Sequence, residues 1–396
     1  MAKPVTLPFV TEDAYVAETG AARRTLIAAE RVEGPPPLAF PAGDAAFYGA
    51  QPLAYDFPAV TWTTYADALL RGHSNIVTPP QAIVRHGLST LTTEALYETF
   101  YSRLMLSRDP RTATWAADDA YSVSYLAEAA VFLDGLSMNY AHWMTEVLPR
   151  VAVFVRDLAS RGVPLVVDRD LHANIQRSLR LVAGPDAVIH PIAEHEAVRV
   201  GVLHNISPTG YVPFKVGPQP VEAICQGLFS PAALRATVAR LREAVGDTGP
   251  GRERPKVLLR RQGKLRNVGN EGDIAEALAN RGFMVVDPER LTLDEQVRLY
   301  GQAGMVVGAT GAAMTNVIFG RPDCPTVVMM PRFRHTAYWY WRRMAAAAGA
   351  GPVLHVSGEQ LAPTEDPFHE LAVHGDFRVE VQDVLDAVEA AEALRR

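Results

Sequence analysis

A histidine and a glutamate four residues apart are the first candidates for acid–base chemistry. His142 and Glu146 lie in the stretch 139–146, Asn-Tyr-Ala-His-Trp-Met-Thr-Glu, and residues four apart share one face of a helix. Near a helix start, such a pair predicts a general base and its partner, able to take the proton of a hydroxyl group. A hydrogen-bonded pair that only anchors the helix, with Trp143 in the core, is the alternative. A metal site is less favoured, because no third ligand with clear spacing follows.

A cluster of basic and polar side chains suggests a second kind of chemistry, the binding of an anion. Arg260, Arg261, Arg266 and Asn270 lie between a predicted strand, 256–260, and a predicted helix. Guanidinium groups match the geometry of phosphate oxygens, and a helix N-terminus adds positive potential. The cluster therefore predicts a phosphate site, with a solvated basic loop as the alternative.

The stretch 304–320 contains a short glycine turn that predicts a diphosphate cradle. It begins as an apolar strand, passes through Thr310, Gly311 and Ala312, and resumes with the spacing of one helix face. The missing side chains let a phosphate approach backbone N–H groups at the helix start. Thr310, Thr315 and Asn316 are the expected hydrogen-bonding partners. The alternative is a plain crossover in which Asn316 is a hydrogen-bonded helix residue.

A further pair of acidic residues follows a predicted strand. Asp168 and Asp170 form an Asp-Arg-Asp sequence, which resembles the motif that metal-dependent sugar transferases use. Asp170 is equally suited to cap the helix that is predicted to begin at residue 171. The second interpretation is the favoured one.

The elements that must position these residues alternate between strand and helix from residue 127 onwards. The Gly- and Pro-rich stretch 246–255 predicts a linker. The regular alternation after it predicts a doubly wound parallel sheet of about five strands. The last helix, 381–394, is expected to pack back on the first domain. A chain of 396 residues is long enough for two such domains.

Composition and charge exclude several functional classes. The net charge is −6, which argues against a general nucleic-acid-binding protein. Cys225 and Cys324 are too few for a disulfide framework or a four-cysteine zinc site. No secretory signal and no membrane-spanning segment are recognisable. We expect a cytoplasmic protein, with peripheral membrane contact left open.

The three clusters, in this order, resemble glycosyltransferase family 61, the DUF563 group that includes bacterial capsular-polysaccharide proteins. The resemblance rests on the stretch 139–150, on the stretch 260–271, and on Thr310-Gly-Ala-Ala-Met-Thr-Asn316 with the apolar residues that follow. It covers residues 120–355. Three positions depart from the usual pattern: Thr310 stands in place of His, Ala313 in place of Gly, and Val328-Met329 where a glutamate is common.

The resemblance implies an α/β, GT-B-like fold, with two Rossmann-like domains facing a cleft. Residues 111–247 would form the N-terminal acceptor domain, with 1–110 as part of it, and 255–360 the nucleotide-sugar domain. Residues 361–396 would form a C-terminal tail and helix.

The resemblance further implies inverting transfer of a sugar from a nucleotide-diphosphate donor to a hydroxyl of a glycan acceptor. Glu146 and His142 would be catalytic, and Asn139 and Trp143 would line the acceptor cleft. No metal and no cofactor would be required, since the nucleotide sugar is a substrate. The alternative is a non-catalytic nucleotide- or carbohydrate-binding subunit of a polysaccharide assembly complex. The donor-binding residues would be Arg260, Arg261, Arg266, Asn270, Thr310, Gly311, Ala312, Thr315 and Asn316.

Overall fold

The protein has a mixed α/β fold, seen here in a computed structural model. The structure describes residues 4–48, 53–85, 88, 105–108, 111–115, 122–158, 162–212, 227–247, 249, 251, 254–332, 340–362 and 374–395. Cys225 and the predicted helix start at 336–339 lie outside these residues. Within the described part of the chain, no helix combines the length and apolar character needed to cross a membrane.

The strands are numbered in chain order. They are β1 (Val5–Thr11), β2 (Arg23–Ile27), β3 (Glu30–Gly34), β4 (Leu38–Phe40), β5 (Leu53–Phe57), β6 (Val60–Arg71), β7 (Ile83–Arg85), β8 (Met105–Arg108), β9 (Thr112–Trp115), β10 (Ser122–Val131), β11 (Leu165–Asp168), β12 (Ile189–Ile192), β13 (Glu196–Ile206), β14 (Gly210–Tyr211), β15 (Leu228–Phe229), β16 (Lys256–Leu259), β17 (Phe283–Val286), β18 (Met305–Ala309), β19 (Thr326–Pro331), β20 (Val353–Gln360) and β21 (Phe377–Arg378).

The α-helices are numbered in the same way. They are α1 (Glu12–Thr19), α2 (Tyr140–His142), α3 (Leu148–Asp157), α4 (Ala173–Ala183), α5 (Pro231–Ala244), α6 (Glu271–Ala279), α7 (Leu293–Gln302), α8 (Tyr340–Ala348) and α9 (Val381–Leu394). Other helical turns are the 3₁₀ segments Ala42–Tyr48, Pro288–Arg290 and Ala312–Phe319, and the π-helix Trp143–Val147.

The chain forms two compact units. The first contains residues 1–30 and 57–211, and the second contains residues 31–56 and 212–396. This division differs from the predicted one, because α5 groups with the second unit although it precedes the stretch 246–255. The N-terminal residues are also shared between the units rather than confined to the first.

A six-stranded sheet forms the centre of the first unit. Its order is β12-β11-β10-β13-β6-β2. The four strands from β12 to β13 are mutually parallel, and β6 and β2 continue the sheet in antiparallel fashion. The N-terminal part of the chain therefore has a defined role that the sequence pattern did not reveal. It completes this sheet, and Tyr15 of α1 packs into its apolar core.

The second unit contains the doubly wound sheet that the sequence predicts. Five parallel strands run in the order β17-β16-β18-β19-β20. Two strands are additional: β4 pairs in parallel with β20, and β21 pairs with it in antiparallel orientation. In this order β16 lies between β17 and β18. It is the switch point from which the chain winds in both directions, and ligands of such sheets bind beyond the strand ends there.

Local signals set the helix boundaries of the second unit as predicted. Thr292 and Glu295 form a reciprocal capping box at α7. Ser230 caps α5, and Pro231 occupies its first turn. The stretch after Gly311, predicted as an α-helix, is instead the 3₁₀ helix Ala312–Phe319.

The expectation for the last helix, α9, is wrong. Its buried face, including Val384, Ala387 and Val388, joins the apolar core of the second sheet. The amphipathic pattern predicts a buried face but carries no information on which sheet receives it.

Candidate active site

A helix with a wide turn follows β10 and carries the first predicted cluster. Asn139 is the N-cap, and its side-chain oxygen accepts a hydrogen bond from the Ala141 N–H (2.9 Å), as predicted. The helix then widens to the π-helix Trp143–Val147, where the Leu148 N–H donates to the main-chain oxygen of Trp143, five residues back. Pro149 follows at once and lacks the N–H that would extend a regular α-helical ladder. Such wide turns occur frequently at functional sites.

His142 and Glu146 are paired within this turn. His142 Nδ1 lies 2.9 Å from Glu146 Oε1. The His142 side chain is buried, whereas 15% of the Glu146 side chain is exposed. The Glu146 carboxylate is therefore more accessible to solvent than the His142 imidazole, to which it is hydrogen-bonded. This geometry suits a base and its orienting partner.

A second carboxylate, Asp134, belongs to the same cluster and was missed by sequence reasoning. Burial and the nearby Glu146 charge raise its pKa to about 6, although the Leu136 N–H, His142 and Arg150 favour the ionised form. Its Oδ1 accepts a hydrogen bond from the Leu136 N–H (2.8 Å). The sequence contains one signal that could have identified Asp134. It lies three residues beyond a predicted buried strand, and ligands of such sheets bind beyond the strand ends.

The predicted acceptor residues Asn139 and Trp143 have different roles. Asn139 is exposed, and its side-chain oxygen is used as the helix cap. Trp143 is completely buried, and its Nε1–H donates to Ser178 Oγ (2.8 Å). Trp143 thus anchors the helix to α4, in contrast to its predicted position lining a cleft.

Asp168 is built into the fold, whereas Asp170 is exposed. Asp168 is 1% exposed, and its two carboxylate oxygens accept hydrogen bonds from the His73 and Asp134 N–H groups. Asp170 has a left-handed backbone with φ of 61°, and α4 is capped by His172 rather than by Asp170. Over the described residues, no three His, Cys, Asp or Glu side chains come together as a metal-binding group.

In the second unit, two neighbouring arginines have opposite roles. Arg260 Nε forms an ion pair with Glu271 Oε2 (3.1 Å), and the other oxygen of Glu271 accepts a hydrogen bond from the Arg261 N–H. The charge of Arg260 is therefore compensated by the first residue of α6. The side chain of Arg261 turns away from Glu271, and its Nε donates to the main-chain oxygen of Leu265 (3.0 Å).

The guanidinium of Arg261 lies directly over the glycine turn. A Cβ atom placed on Gly311 would lie 2.1 Å from Arg261 Nη1, so any larger residue would collide with it. Gly311 has φ of 159°, a backbone conformation that side-chain-bearing residues rarely adopt. Because Arg261 follows β16 and Gly311 follows β18, the two predicted clusters meet at the switch point of the sheet.

Arg266 adds a second positive charge beside Arg261. Burial lowers the pKa of the Arg261 guanidinium, and repulsion from Arg266 lowers it further. Arg266 itself has a left-handed backbone with φ of 62°, and its Nε is buried without a hydrogen-bond partner among the described residues. The repulsion between the Arg261 and Arg266 guanidinium groups costs free energy, and an anion bound beside them would offset this cost.

Thr310, the residue that replaces the usual histidine, is held by the aromatic start of α8. Its Oγ1 accepts a hydrogen bond from Trp341 Nε1 (3.1 Å), and Thr310 is 4% exposed. Burial raises the pKa of the neighbouring Tyr340 hydroxyl, while Arg266, Thr310 and Arg261 favour its ionised form. Tyr340 is thus a member of the arginine cluster that sequence reasoning did not identify.

Three predicted donor-binding residues are part of the framework instead. Asn316 is fully buried, and its Nδ2 donates to Gln296 Oε1 (2.5 Å). The Asn270 side chain donates a hydrogen bond to the main-chain oxygen of Val379 and accepts one from the Val379 N–H. These two bonds fix the arginine loop to the end of β21. Thr315 is also fully buried. In contrast, Ala312 is exposed at the start of the 3₁₀ turn.

Comparison with protein-family models gives a match. The sequence model of the family described as Glycosyltransferase 61 matches residues 140–329, just under half of the chain. The search of curated proteins found no match to this chain. The matched segment begins in the helix of His142 and Glu146, contains the arginine loop, and ends beyond the Gly311 turn. The resemblance to this family is confirmed over that segment.

Proposed function

We propose that this protein, a glycosyltransferase by its match to the Glycosyltransferase 61 model, transfers a sugar from a nucleoside-diphosphate donor to a hydroxyl of a glycan acceptor, with inversion. The second unit would bind the donor diphosphate, and the cluster of the first unit would supply the base. The GT-B arrangement, the cytoplasmic location and a role in capsular or exopolysaccharide synthesis are carried over from the family resemblance as parts of this proposal.

One observation carries the donor assignment, the contact of Arg261 with the Gly311 turn. The guanidinium, the second charge of Arg266 and the turn with exposed Ala312 converge beyond β16 and β18. Fixed positive charge that is already in place stabilises negative charge as it develops, without reorganisation at the moment of reaction. A leaving diphosphate is the charge that this arrangement suits.

The proposed reaction is a single displacement. Glu146 takes the proton of the acceptor hydroxyl, whose oxygen forms a bond to the anomeric carbon. The bond from that carbon to the diphosphate oxygen breaks, and its electron pair leaves with the nucleoside diphosphate. His142, 2.9 Å from Glu146, orients the carboxylate and stabilises it. Attack on the face opposite the leaving group inverts the anomeric centre.

The donor assignment can be tested with two adjacent arginines as a matched pair. Arg261→Ala removes the guanidinium above the turn, whereas Arg260→Ala removes one that is paired with Glu271. A charge-assisted hydrogen bond contributes about 1.5–3 kcal/mol, so Arg261→Ala should weaken UDP binding about 10- to 100-fold. Titration calorimetry with UDP and a transfer assay over a panel of nucleotide sugars measure both effects.

Two outcomes would contradict the proposal. Equal loss of UDP affinity in the Arg260 and Arg261 variants would contradict the proposed contact of Arg261 with the diphosphate. Nucleotide binding by the unmodified protein without transfer from any donor of the panel would favour the non-catalytic binding subunit. The family match and the buried acid–base cluster support the enzyme instead.

A further inference from the structure

One face of the central sheet of the first unit presents apolar side chains to solvent. Val123 and Tyr125 are alternate residues of β10, and Val202 lies on the neighbouring strand β13. These side chains point away from the apolar core, which takes Val200 and Leu203 from β13. Tyr125 is 65% exposed, and the two valines are about half exposed. Contiguous apolar surface of this kind marks a binding site more often than surface chosen at random.

A glycine on the neighbouring strand lets the ring of Tyr125 extend along the sheet. Tyr125 is paired in register with Arg199, and Gly201 is two residues further along β13. A Cβ atom on Gly201 would lie 2.8 Å from the Tyr125 hydroxyl oxygen. The side chain therefore extends along the surface instead of standing upright on it, and the missing Cβ of Gly201 makes room for its hydroxyl. The exposed ring forms a flat platform.

The carboxylate of Glu128, on the same face, is oriented by two hydrogen bonds in series. Trp62 Nε1–H donates to His204 Nδ1 (3.1 Å), and an indole nitrogen can only donate. His204 Nδ1 is therefore the acceptor, and its Nε2–H donates to Glu128 Oε1 (2.7 Å). The Glu128 side chain is thus held in one direction although 51% of it is exposed. Its second oxygen, Oε2, is suited to accept a hydrogen bond from a ligand.

The oriented carboxylate and the aromatic platform are neighbours. Glu128 is paired in register with Val202, and Val202 follows Gly201, over which the Tyr125 hydroxyl lies. The three side chains therefore form a short row across β10 and β13. The row consists of an aromatic ring, an apolar floor and a fixed hydrogen-bond acceptor.

This row suits the surface of a sugar ring. A pyranose has apolar faces made of C–H groups, which are attracted to the negative face of an aromatic ring, and a rim of hydroxyls that donate and accept hydrogen bonds. The Arg199–Asp67 ion pair (3.3 Å), which is about half exposed, adds donors and acceptors beside Tyr125. Because this cation is paired, the patch does not suit a nucleic acid or an anionic membrane.

We propose that the first unit binds a glycan chain on this face, through Tyr125, Val202 and Glu128. The proposal rests on the proposed function in one respect, since the bound chain is taken to be the acceptor polymer. Tyr125 lies six residues before the end of β10, or about 20 Å along the strand. The site would therefore hold a part of the acceptor remote from the reacting hydroxyl, and would raise the local concentration of acceptor ends.

Glycan binding can be measured without turnover. The unmodified protein is applied to an array of bacterial, fungal and plant polysaccharides, and a hexasaccharide of the polysaccharide bound most strongly is then titrated by calorimetry. Tyr125→Ala should weaken binding about tenfold, and Glu128→Gln about three- to tenfold. Met284→Ala is the control, because Met284 is an exposed apolar strand residue of the second unit. Its affinity should equal that of the unmodified protein.

A second set of variants tests the orientation of Glu128. Trp62→Phe removes the N–H that His204 accepts but keeps an aromatic ring, so the Nε2–H tautomer should no longer be fixed. Nitrogen NMR of His204 reports this tautomer directly. Trp62→Phe should weaken glycan binding in the protein with Glu128 and have no further effect in Glu128→Gln. Equal effects of Trp62→Phe in both backgrounds would contradict the orienting role.

Three outcomes would overturn the site. They are the absence of binding to every polysaccharide of the array, unchanged affinity in Tyr125→Ala, and a dimer in sedimentation that Tyr125→Ala dissociates, since a second copy would then cover this face. UDP binding should be the same in all these variants. A protein that binds the glycan through Tyr125 and transfers no sugar would uphold the site and refute the proposed transfer. Transfer that occurs with unchanged glycan affinity in Tyr125→Ala would refute the site alone.

Discussion

Each of the two proposed half-sites lies beyond the ends of parallel strands in its own unit, but the two compensate their charges differently. In the first unit, Asp134, His142, Glu146 and Arg150 form a buried cluster of both signs. In the second unit, Arg261 and Arg266 lie next to each other, while the carboxylate of Glu271 is taken up by Arg260. A mixed cluster can redistribute a proton. The second cluster is predominantly positive, with smaller opposing contributions from Glu289 and Asp376, and is suited to attract an anion.

The difference suits the division that we propose, in which one unit takes up a proton and the other stabilises the leaving group. A base needs neighbours that adjust its proton affinity, and these are placed on rigid elements beside it. A phosphate site needs donors in a fixed direction and space for close approach. The glycine at position 311 provides that space, and the folded Arg261 side chain provides the donors.

The largest effect should come from the proposed base. Glu146→Gln keeps the shape and the contact with His142 but removes the proton acceptor, so transfer should fall about 10²- to 10⁴-fold. UDP binding should stay unchanged in calorimetry, because the variant lies in the other half-site. Turnover at the rate of the unmodified protein would identify another group as the base.

A substitution in the glycine turn should have the next largest effect. It should weaken donor binding rather than slow the transfer step. Gly311→Ala forces the Arg261 guanidinium away from the turn and should weaken UDP binding about tenfold or more. Gly272→Ala is the matched control, since a Cβ there meets no atom within 4 Å and alanine favours the helix. If both variants bind UDP equally well, Arg261 does not contact the phosphates.

Asp134 should make the stability of the first unit depend on pH. Its folded-state pKa of about 6 exceeds the ordinary 3.8, so the folded protein holds this proton more tightly than the unfolded chain does. The ionised carboxylate therefore destabilises the fold by about 3 kcal/mol above pH 6. This cost disappears as the pH falls from 6 towards 3.8, so stability from this group rises on acidification.

Asp134→Asn removes that titration and should raise the denaturant midpoint at pH 8. The gain over the unmodified protein should shrink between pH 6 and pH 4. Exposed Asp186 provides the control, because Asp186→Asn should leave the midpoint nearly unchanged at both ends of the range. An Asp134 variant that is less stable than the unmodified protein at pH 8 would contradict the assignment of a costly buried charge.

The smallest effect concerns Trp143, which the family resemblance places in the acceptor cleft and the structure places in the core. Trp143→Phe removes the hydrogen bond to Ser178 and should lower the free energy of unfolding by about 1 kcal/mol. Ser178→Ala removes the same bond from its other end, so the double variant should lose less than the sum. A large rise in the KM for the acceptor, with unchanged stability, would restore Trp143 to the cleft.

Much of the architecture can be predicted from the sequence, because the signals that determine it are local. The cap at Asn139, the capping box at Thr292 and the alternation after residue 255 act over a few residues. The ordering of strand, turn and helix predicts that Arg261 and Gly311 meet at the strand ends, since parallel strands share one edge. The individual roles of Arg260 and Arg261 were not readable, because adjacent residues of one type differ only in which partners surround them.

The amino-acid order alone established the family resemblance, the parallel sheet of the second half and the three clusters that we propose to carry chemistry. Folding decided which members of those clusters are accessible, which support the framework, and which unnoticed residues join them. Asn316 and Trp143 became core residues, while Asp134 and Tyr340 entered the sites. The physical reason is that burial and charge compensation depend on distant segments. Glu12, for example, accepts hydrogen bonds from the hydroxyls of Thr61, Thr63 and Tyr65, which lie about fifty residues further along the chain.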